Sequence, residues 1–147
     1  MLSYQQVDFI ADAYIPILLV AALILIFHKV YLGELGKAKS ASLKLIVSIA
    51  WIYGLMVVDN IFKIWPYFAL DYSTHTALAL ALISFLLTQP YAAKTQQKRL
   101  MLCLSLIGYA ALMLYQEYHS LSDIVTTCIV ILPGLFLING KIESPSK

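Results

Sequence analysis

Charged residues are scarce in this chain. Of its 147 residues, 12% are charged and 61% are hydrophobic, whereas a soluble domain is about 25% charged and roughly 45–50% apolar. Because one membrane-spanning helix needs about 20 apolar residues, most of the chain is predicted to lie in lipid. The composition leaves no room for a separate soluble domain and predicts an all-α membrane protein.

Cysteine is also rare. The two cysteines, Cys103 and Cys128, fall near the start of one predicted helix and in the body of the next. Neither their spacing nor their depth is typical of a metal motif or a disulfide. We therefore interpret both as small apolar packing residues.

The N-terminal stretch lacks basic residues. Residues 1–14 include Asp8 and Asp12 but no Lys or Arg. The basic region that opens a cleaved signal peptide is therefore missing. We expect this stretch to be an extracytoplasmic lead-in to an uncleaved first helix.

Positive charge is confined to a few places. Nine of the ten Lys and Arg residues fall in three segments, 29–44, 94–99 and 141–147, and apolar runs separate these segments. Because Lys and Arg are retained on the cytoplasmic side of a membrane, all three segments are predicted to be cytoplasmic. The remaining cation, Lys63, then lies on the outer side with most of the acidic residues.

Five apolar runs can be drawn as transmembrane helices. They are predicted at about 13–32, 43–64, 73–89, 100–115 and 121–138. The last three are short, roughly 24–27 Å long at 1.5 Å per residue. The predicted fold class is an all-α, integral membrane bundle of five transmembrane helices, with the N-terminus outside and the C-terminus cytoplasmic. Residues 1–140 form its single domain, and residues 141–147 form a polar cytoplasmic tail.

Three chemically active side chains are predicted to meet at the outer face. His75 opens the third span, and His119 and Asp123 lie where the chain enters the fifth. If the turn before the fifth span is helical, His119 and Asp123 share a face at a spacing of four residues. The carboxylate can then accept the imidazole Nδ1–H and leave Nε2 free as a nucleophile or base. His75 lies in the first turn of its helix, where free N–H groups favour an anion.

A purely structural interpretation competes with this one. The pattern Ser120-x-x-Asp123 before an apolar run is also a capping box, in which Asp123 only caps the helix. Lys63 is the only outer-face cation besides the histidines, and it can instead pair with Asp59 four residues earlier. Asp59 is itself an ionisable residue within a span, which favours a functional role. The candidate substrate-binding residues are Lys63, Ser73, Thr74, Asp59 and Glu117.

The sequences around both histidines resemble a known family. Ser73-Thr74-His75 is similar to the Ser-Gly-His motif of the type 2 phosphatidic acid phosphatase superfamily, and His119-x-x-x-Asp123 is similar to its closing His-x-x-x-Asp motif. The two motifs occur in the same order as in that superfamily. The stretch 71–76 is closer still to the sphingomyelin synthase branch.

The resemblance implies a mechanism for three of these residues. His119 would attack phosphorus and form a phosphohistidine, and Asp123 would orient its imidazole. His75 would protonate the leaving alkoxide and later activate the acceptor. No metal or other cofactor would be needed.

The chain departs from the family where cations are expected. Val58, Trp65 and Met113 stand where the phosphatase branch carries Lys, Arg and Arg, and the only arginine, Arg99, is on the cytoplasmic side. A bidentate guanidinium clamp for a phosphate dianion is therefore not predicted. Such a site favours a phosphodiester monoanion, and hence phosphodiester cleavage or headgroup transfer over monoester hydrolysis. A degenerate, inactive member is equally compatible with these changes.

The sequence predicts a membrane lipid phosphatase or phosphotransferase that acts on a lipid phosphate or phosphodiester at the outer leaflet. Its expected partners are a lipid substrate and the membrane, without nucleic acid. A homo-oligomer is left open, because the superfamily usually has six spans. In a bacterium the chain would lie in the inner membrane, with its active site on the extracytoplasmic face.

Two other classes of function are left open. In the first, His75 and His119 are axial haem ligands, or bind a metal together with Glu117 and Asp123. In the second, the chain is a membrane subunit without chemistry of its own.

Overall fold

The computed structural model describes residues 4–89 and 96–140 of the protein. In this part of the chain the structure is all-α, with six helices and no strand. The helices are α1 Tyr4–Tyr31, α2 Leu35–Phe62, α3 Ile64–Tyr67, α4 Thr74–Thr88, α5 Gln96–Tyr115 and α6 Leu121–Asn139.

Four of these helices are long and apolar enough to cross a membrane. They are α1 from Gln5 onward, α2, α5 and α6, with mean hydropathies of 2.5, 1.9, 1.4 and 2.2 in their most apolar windows. The apolar helix α4 has 15 residues, which gives it a length of about 22 Å. It is therefore shorter than a hydrocarbon core of about 30 Å.

The short helix α4 lies at the centre of the bundle. It packs against α1, α2, α5 and α6, and nine of its 15 residues are buried. Phe85 packs among side chains of α1 and α2, Leu80 among those of α2 and α6, and Ala79 among those of α1, α5 and α6. A helix that is apolar on every face is stable when it is enclosed, and this one is enclosed by its longer neighbours.

The bundle has two chemically different ends. One end carries Lys29, Lys37, Lys39, Lys44 and Arg99 on α1, α2 and α5, and we call it the basic end. The other carries both His75 and His119, and we call it the histidine end. Because α1, α2, α4, α5 and α6 alternate in direction between these ends, the structure keeps the separation of charge that the sequence predicts.

The helix bounds differ from prediction mainly in α1 and α2. α1 begins at Tyr4 and α2 at Leu35, about eight or nine residues earlier than predicted, so the expected lead-in is helical. Asp8 does not interrupt α1, because its carboxylate accepts hydrogen bonds from the connection between α5 and α6. α4 and α6 agree with prediction within a residue, and α5 begins four residues early. The predicted tail, 141–147, lies outside the described residues.

Candidate functional site

The connection between α5 and α6 begins with a tight reversal of the chain. The Tyr118 N–H donates to the Met113 carbonyl at 3.1 Å, and the Glu117 N–H donates to the Leu114 carbonyl at 3.2 Å. Glu117 has a φ of 57°. This is the Schellman pattern that ends many helices, with Glu117 in the left-handed position that glycine usually takes. The reversal sends His119 back toward the start of α4.

The start of α6 is fixed by a capping box. The Ser120 Oγ accepts from the Asp123 N–H at 3.2 Å, and the Asp123 Oδ2 accepts from the Ser120 N–H at 2.8 Å and from its hydroxyl at 2.7 Å. The capping interpretation of this sequence is therefore confirmed. The shared helical face of His119 and Asp123 was predicted on the condition that the turn before this helix is helical. That condition is not met, because α6 begins at Leu121 and His119 precedes it.

The start of α4 is fixed in a similar way by Ser73. Its hydroxyl donates to the Thr76 hydroxyl at 2.7 Å and accepts from the Thr76 N–H at 3.3 Å. The Ser73 N–H donates to the Thr127 hydroxyl of α6 at 3.1 Å, which ties the start of α4 to α6. These contacts leave Ser73 buried and place the exposed side chain of His75 in the first turn of α4.

The two histidines meet at this end of the bundle. The ring centroids of His75 and His119 are 6.3 Å apart, with planes tilted by 52°. The ring of Tyr118 stacks beside His75 with centroids 6.3 Å apart. The Tyr118 hydroxyl donates to the Asp8 carboxylate of α1, which also accepts from Gln116 at 3.2 Å. Three parts of the chain, α1, the start of α4 and the connection from α5 to α6, therefore converge on the imidazole pair.

The carboxylate of Asp71, for which no role was predicted, faces His119. The Asp71 Oδ2 lies 3.7 Å from the His119 Nδ1, and the two side chains are 73% and 10% exposed, respectively. The His119 Nδ1 is buried and has no hydrogen-bond partner in the described part of the chain. The Asp71 N–H donates to the Asp123 Oδ1 at 2.7 Å. Asp123 therefore holds the backbone of Asp71, and the carboxylate of Asp71 is the one that faces the imidazole.

Burial lowers the pKa of His119 below its ordinary value of 6.5. The charge of Asp71 opposes this effect, because an anion stabilises the imidazolium, and the neighbouring His75 reinforces it. At neutral pH His119 is consequently an uncharged imidazole. A neutral imidazole whose Nδ1 carries the proton has a free lone pair on Nε2, which is what a nucleophile or a general base needs.

Several other candidate residues serve the local structure. The buried Asp59 accepts the Trp65 N–H at 2.8 Å, which caps α3. The Thr74 hydroxyl contacts the Met56 sulfur at 3.7 Å. Lys63 has a φ of 54°, and its backbone N–H donates to the Asp59 carbonyl at 2.7 Å. The side chains of Asp59 and Thr74 are therefore used in local contacts. Lys63 contacts Asp59 through the backbone N–H and carbonyl.

Lys63 and Glu117 are both exposed at the histidine end. In the described part of the chain, no hydrogen bond or ion pair joins either side chain to the two histidines. Two positions where the phosphatase branch has arginine are filled by core residues, since Trp65 is 5% exposed and Met113 is 1% exposed. The site is therefore poor in cations.

The metal alternative gains no geometric support. Within residues 4–89 and 96–140, no group of three His, Cys, Asp or Glu side chains is placed to hold a metal ion. The Asp123 carboxylate, which was to complete such a site, is occupied by Ser120 and Asp71. A haem bound between His75 and His119 stays a prediction.

Comparison with models of protein families, with curated proteins and with solved structures gave no match. The resemblance to the type 2 phosphatidic acid phosphatase superfamily therefore rests on the two short motifs. Any function assigned to this chain therefore rests on the geometry of the histidine end.

Proposed function

We propose that this protein is an integral membrane enzyme that transfers the phospho group of a lipid through a phosphohistidine at His119. The observation that carries the proposal is the imidazole pair, with ring centroids 6.3 Å apart and a carboxylate 3.7 Å from the Nδ1 of the more buried ring. Two imidazoles roughly this far apart can both reach one phosphate group, each at a hydrogen-bond distance of about 3 Å.

The separation of charge supports an orientation for the site. Lysines and the single arginine mark the basic end as cytoplasmic, so the histidine end would face outward and the N-terminus of α1 would lie outside. Five crossings follow if α4 is counted as a span. Its length of about 22 Å does not argue against this, since the helices around it, rather than lipid, contact most of its surface.

The proposed reaction has two steps. In the first, the Nε2 lone pair of neutral His119 attacks phosphorus, and the bond from phosphorus to the leaving alkoxide breaks. Protonated His75 gives its proton to that alkoxide. In the second step His75 takes a proton from water or an alcohol, whose oxygen attacks the phosphohistidine and releases His119.

The roles of the two carboxylates differ from those that the resemblance implies. Asp71 would accept the Nδ1–H of His119 and stabilise the positive charge that develops on the ring when Nε2 bonds to phosphorus. Asp123 would act on His119 only indirectly, because it accepts the backbone N–H of Asp71 and caps α6.

The substrate is proposed to be a lipid phosphodiester. A dianionic monoester is best bound by guanidinium groups, and the single arginine, Arg99, lies at the basic end. A phosphodiester carries one negative charge, which a protonated His75 and the nearby N–H groups at the start of α4 can balance. Whether the acceptor is water or an alcohol determines whether the enzyme hydrolyses the lipid or transfers its headgroup.

The test compares two histidine substitutions. Purified wild type, His119→Gln and His28→Gln are incubated in detergent with phospholipids and with lipid phosphate monoesters, and the products are separated. His28 is an exposed histidine near the basic end of α1, so His28→Gln is a matched control. We expect turnover by wild type and His28→Gln, and none by His119→Gln.

A trapping experiment gives a second readout. With a lipid labelled in its phosphate, label should stay on the wild-type protein after alkali and leave it after acid, as expected for a phosphohistidine. Activity that survives in His119→Gln would end the proposal. A Soret band that requires both His75 and His119 would favour the haem alternative, and normal cell growth with every histidine variant would favour a non-catalytic subunit.

A further inference from the structure

The consecutive helices α5 and α6 diverge from each other. Both pack against α4, and in the described part of the chain their backbones approach each other closely at few positions, although Met113 of α5 and Ile124 of α6 belong to one core cluster. Between them and α4 lies a cavity of about 860 Å³, within the range of roughly 300–1,000 Å³ that is typical of ligand pockets. Its walls are mainly apolar and include Leu87 of α4, Cys103 of α5 and Leu132 and Phe136 of α6.

This groove lies toward the basic end. Arg99 in the first turn of α5, and Asn139 at the end of α6, line it where these helices approach that end. His75 lies 13 residues before Thr88, which also lines the groove, so about 20 Å separate the groove's polar end from the histidines. The groove is therefore distinct from the site proposed for phosphoryl transfer.

Two residues that line the groove each carry a buried polar atom without a partner. The Arg99 Nε and the Asn139 Oδ1 are both buried without a hydrogen-bond partner among the described residues. Asn139 is 3% exposed, and its Nδ2 is already used, because it donates to Ser48 at 3.2 Å and to Ser84 at 3.1 Å. Leaving such a group unpaired costs about 1–3 kcal/mol, so each one calls for an explanation, such as a bound ligand.

The two unpaired atoms indicate which chemical groups a ligand in the groove must have. Arg99 needs an acceptor, and a phosphate oxygen suits a guanidinium best. The Asn139 Oδ1 needs a donor, such as a hydroxyl group. The apolar walls need hydrocarbon, which the surrounding membrane supplies as acyl chains.

The charge of the basic end favours an anionic occupant. Lys29 lies nearby and donates to Gln89, the residue after α4, at 2.8 Å. Basic pockets between membrane helices on the cytoplasmic side attract anionic headgroups. A lipid without a phosphate would leave Arg99 without an acceptor, and phosphatidylcholine, which has no donor, would leave the Asn139 Oδ1 unpaired.

We propose that the groove between α5 and α6 binds one anionic glycerophospholipid from the leaflet at the basic end. Its phosphate accepts from Arg99, its headgroup hydroxyl donates to the Asn139 Oδ1, and an acyl chain lies against the apolar walls. This proposal does not depend on the phosphoryl transfer proposed above, because the two sites lie at opposite ends of the bundle.

The test uses the exposed thiol of Cys103. In Cys128→Ala protein, Cys103 is the only cysteine, and its rate of alkylation by a maleimide is measured in detergent by mass spectrometry. Dioleoyl phosphatidylglycerol, which is anionic and carries hydroxyls, is titrated against dioleoyl phosphatidylcholine, which is zwitterionic and has no hydroxyl. Both lipids have a phosphate that can accept from Arg99, but only phosphatidylglycerol has a net negative charge and a hydroxyl that can donate to Asn139. We therefore expect phosphatidylglycerol to protect Cys103 at concentrations about tenfold lower, a difference of about 1.4 kcal/mol.

Substitutions of two cations, Arg99 and Lys39, distinguish a specific phosphate contact in the groove from general attraction of anionic lipid to the basic end. Arg99→Gln should weaken protection by both lipids and reduce the preference for phosphatidylglycerol, because the cation that attracts its net charge is lost, and Arg99→Lys should keep part of that preference. Lys39→Gln is the matched control, because Lys39 is an exposed cation at the same end but does not line the groove. Native mass spectra should show one bound phosphatidylglycerol in the control and loss of that adduct in Arg99→Gln.

Three results would overturn the proposal. Equal protection by the two lipids would show that the groove takes any acyl chain. An unchanged preference in folded Arg99→Gln would remove the proposed phosphate contact. Protection that needs no lipid and rises with protein concentration would assign the groove to a second copy of the chain.

Discussion

Replacing Asp71 by Asn tests which carboxylate controls His119. The substitution removes the negative charge 3.7 Å from the His119 Nδ1 and keeps the backbone N–H that donates to Asp123. Because Asp71 raises the pKa of His119 against the effect of burial, we expect the pKa of His119 in Asp71→Asn to fall further below 6.5.

The size of the electrostatic effect follows from the geometry. Two unit charges 3.7 Å apart interact by about 1 kcal/mol in water and by about 4 kcal/mol near a protein surface. Since the Asp71 side chain is 73% exposed, the aqueous value applies. A loss of about 1 kcal/mol in stabilising a positively charged ring corresponds to about fivefold slower formation of the phosphohistidine.

Nuclear magnetic resonance measures this effect without a substrate. The chain has three histidines, so a protein labelled in histidine gives few signals, and His28 near the basic end serves as an internal reference. The rings of His75 and His119 can be assigned by substituting each in turn. The same preparations then provide the rate of turnover.

Asp123→Asn is the informative comparison. The Asp123 carboxylate accepts three hydrogen bonds, from Asp71 at 2.7 Å and from Ser120 at 2.8 and 2.7 Å. An amide nitrogen cannot accept, so at least one donor loses its partner at a cost of about 1–3 kcal/mol. We expect Asp123→Asn to lower the thermal stability, and Asp71→Asn to leave it nearly unchanged.

Two outcomes would refute this reasoning. One is a His119 titration in Asp71→Asn that is unchanged or moves to higher pH. The other is a larger shift of that titration in Asp123→Asn than in Asp71→Asn. Either would return the orienting role to Asp123, as the resemblance implies.

Three further predictions concern stability, measured by thermal unfolding in detergent at a fixed scan rate. Glu117→Gly should stabilise the protein by about 1 kcal/mol, because glycine adopts φ 57° without the penalty of a side chain; an unchanged or lower midpoint would contradict this. Gly134→Ala should destabilise the protein by about 1–3 kcal/mol, since the new Cβ would overlap the Trp51 indole. Gly54→Ala should instead stabilise it by up to about 1 kcal/mol, because a Cβ there has no neighbouring atom within 4 Å and alanine favours a helix more than glycine does. Equal effects of the two alanines would refute that packing argument. As the pH falls below 6.5, wild type should lose stability relative to His119→Gln. Burial lowers the pKa of His119 in the folded protein, so the unfolded state binds the proton more readily. Unfolding midpoints of the two proteins that change in parallel with pH would contradict this prediction.

The meeting of His75 and His119 was accessible from the sequence because it depends on short connections. Only five residues, 116–120, join α5 to α6, and the sequence fixes both the end of α5 and the capping box that opens α6. The short connection therefore restricts the position of His119 relative to the starts of α4 and α6. A local signal, the Ser three residues before Asp123, also indicated the capping box as one of two interpretations, and the structure contains that capping box.

The role of Asp71 could not be predicted in this way. It lies in the irregular segment 68–73, which has no helical period to fix the direction of a side chain. Its position depends on a hydrogen bond to Asp123, 52 residues further along the chain. The proximity of Asp71 to His119 is therefore a consequence of the packing of α4 against α6.

The sequence by itself determined the five longer helices and which end of each lies with the lysines, although it did not determine where α1 and α2 begin or that Ile64–Tyr67 forms a separate helix. Apolar runs and the placement of a few charges are sufficient for this, because water and lipid act on each segment separately. Only the tertiary structure decided that α4, which is shorter than the four helices around it, is the central one and that α5 and α6 leave a groove between them. It also decided that Asp71, rather than Asp123, faces His119. Each of these three features depends on how several helices pack together, and therefore cannot be read from any one segment of the sequence.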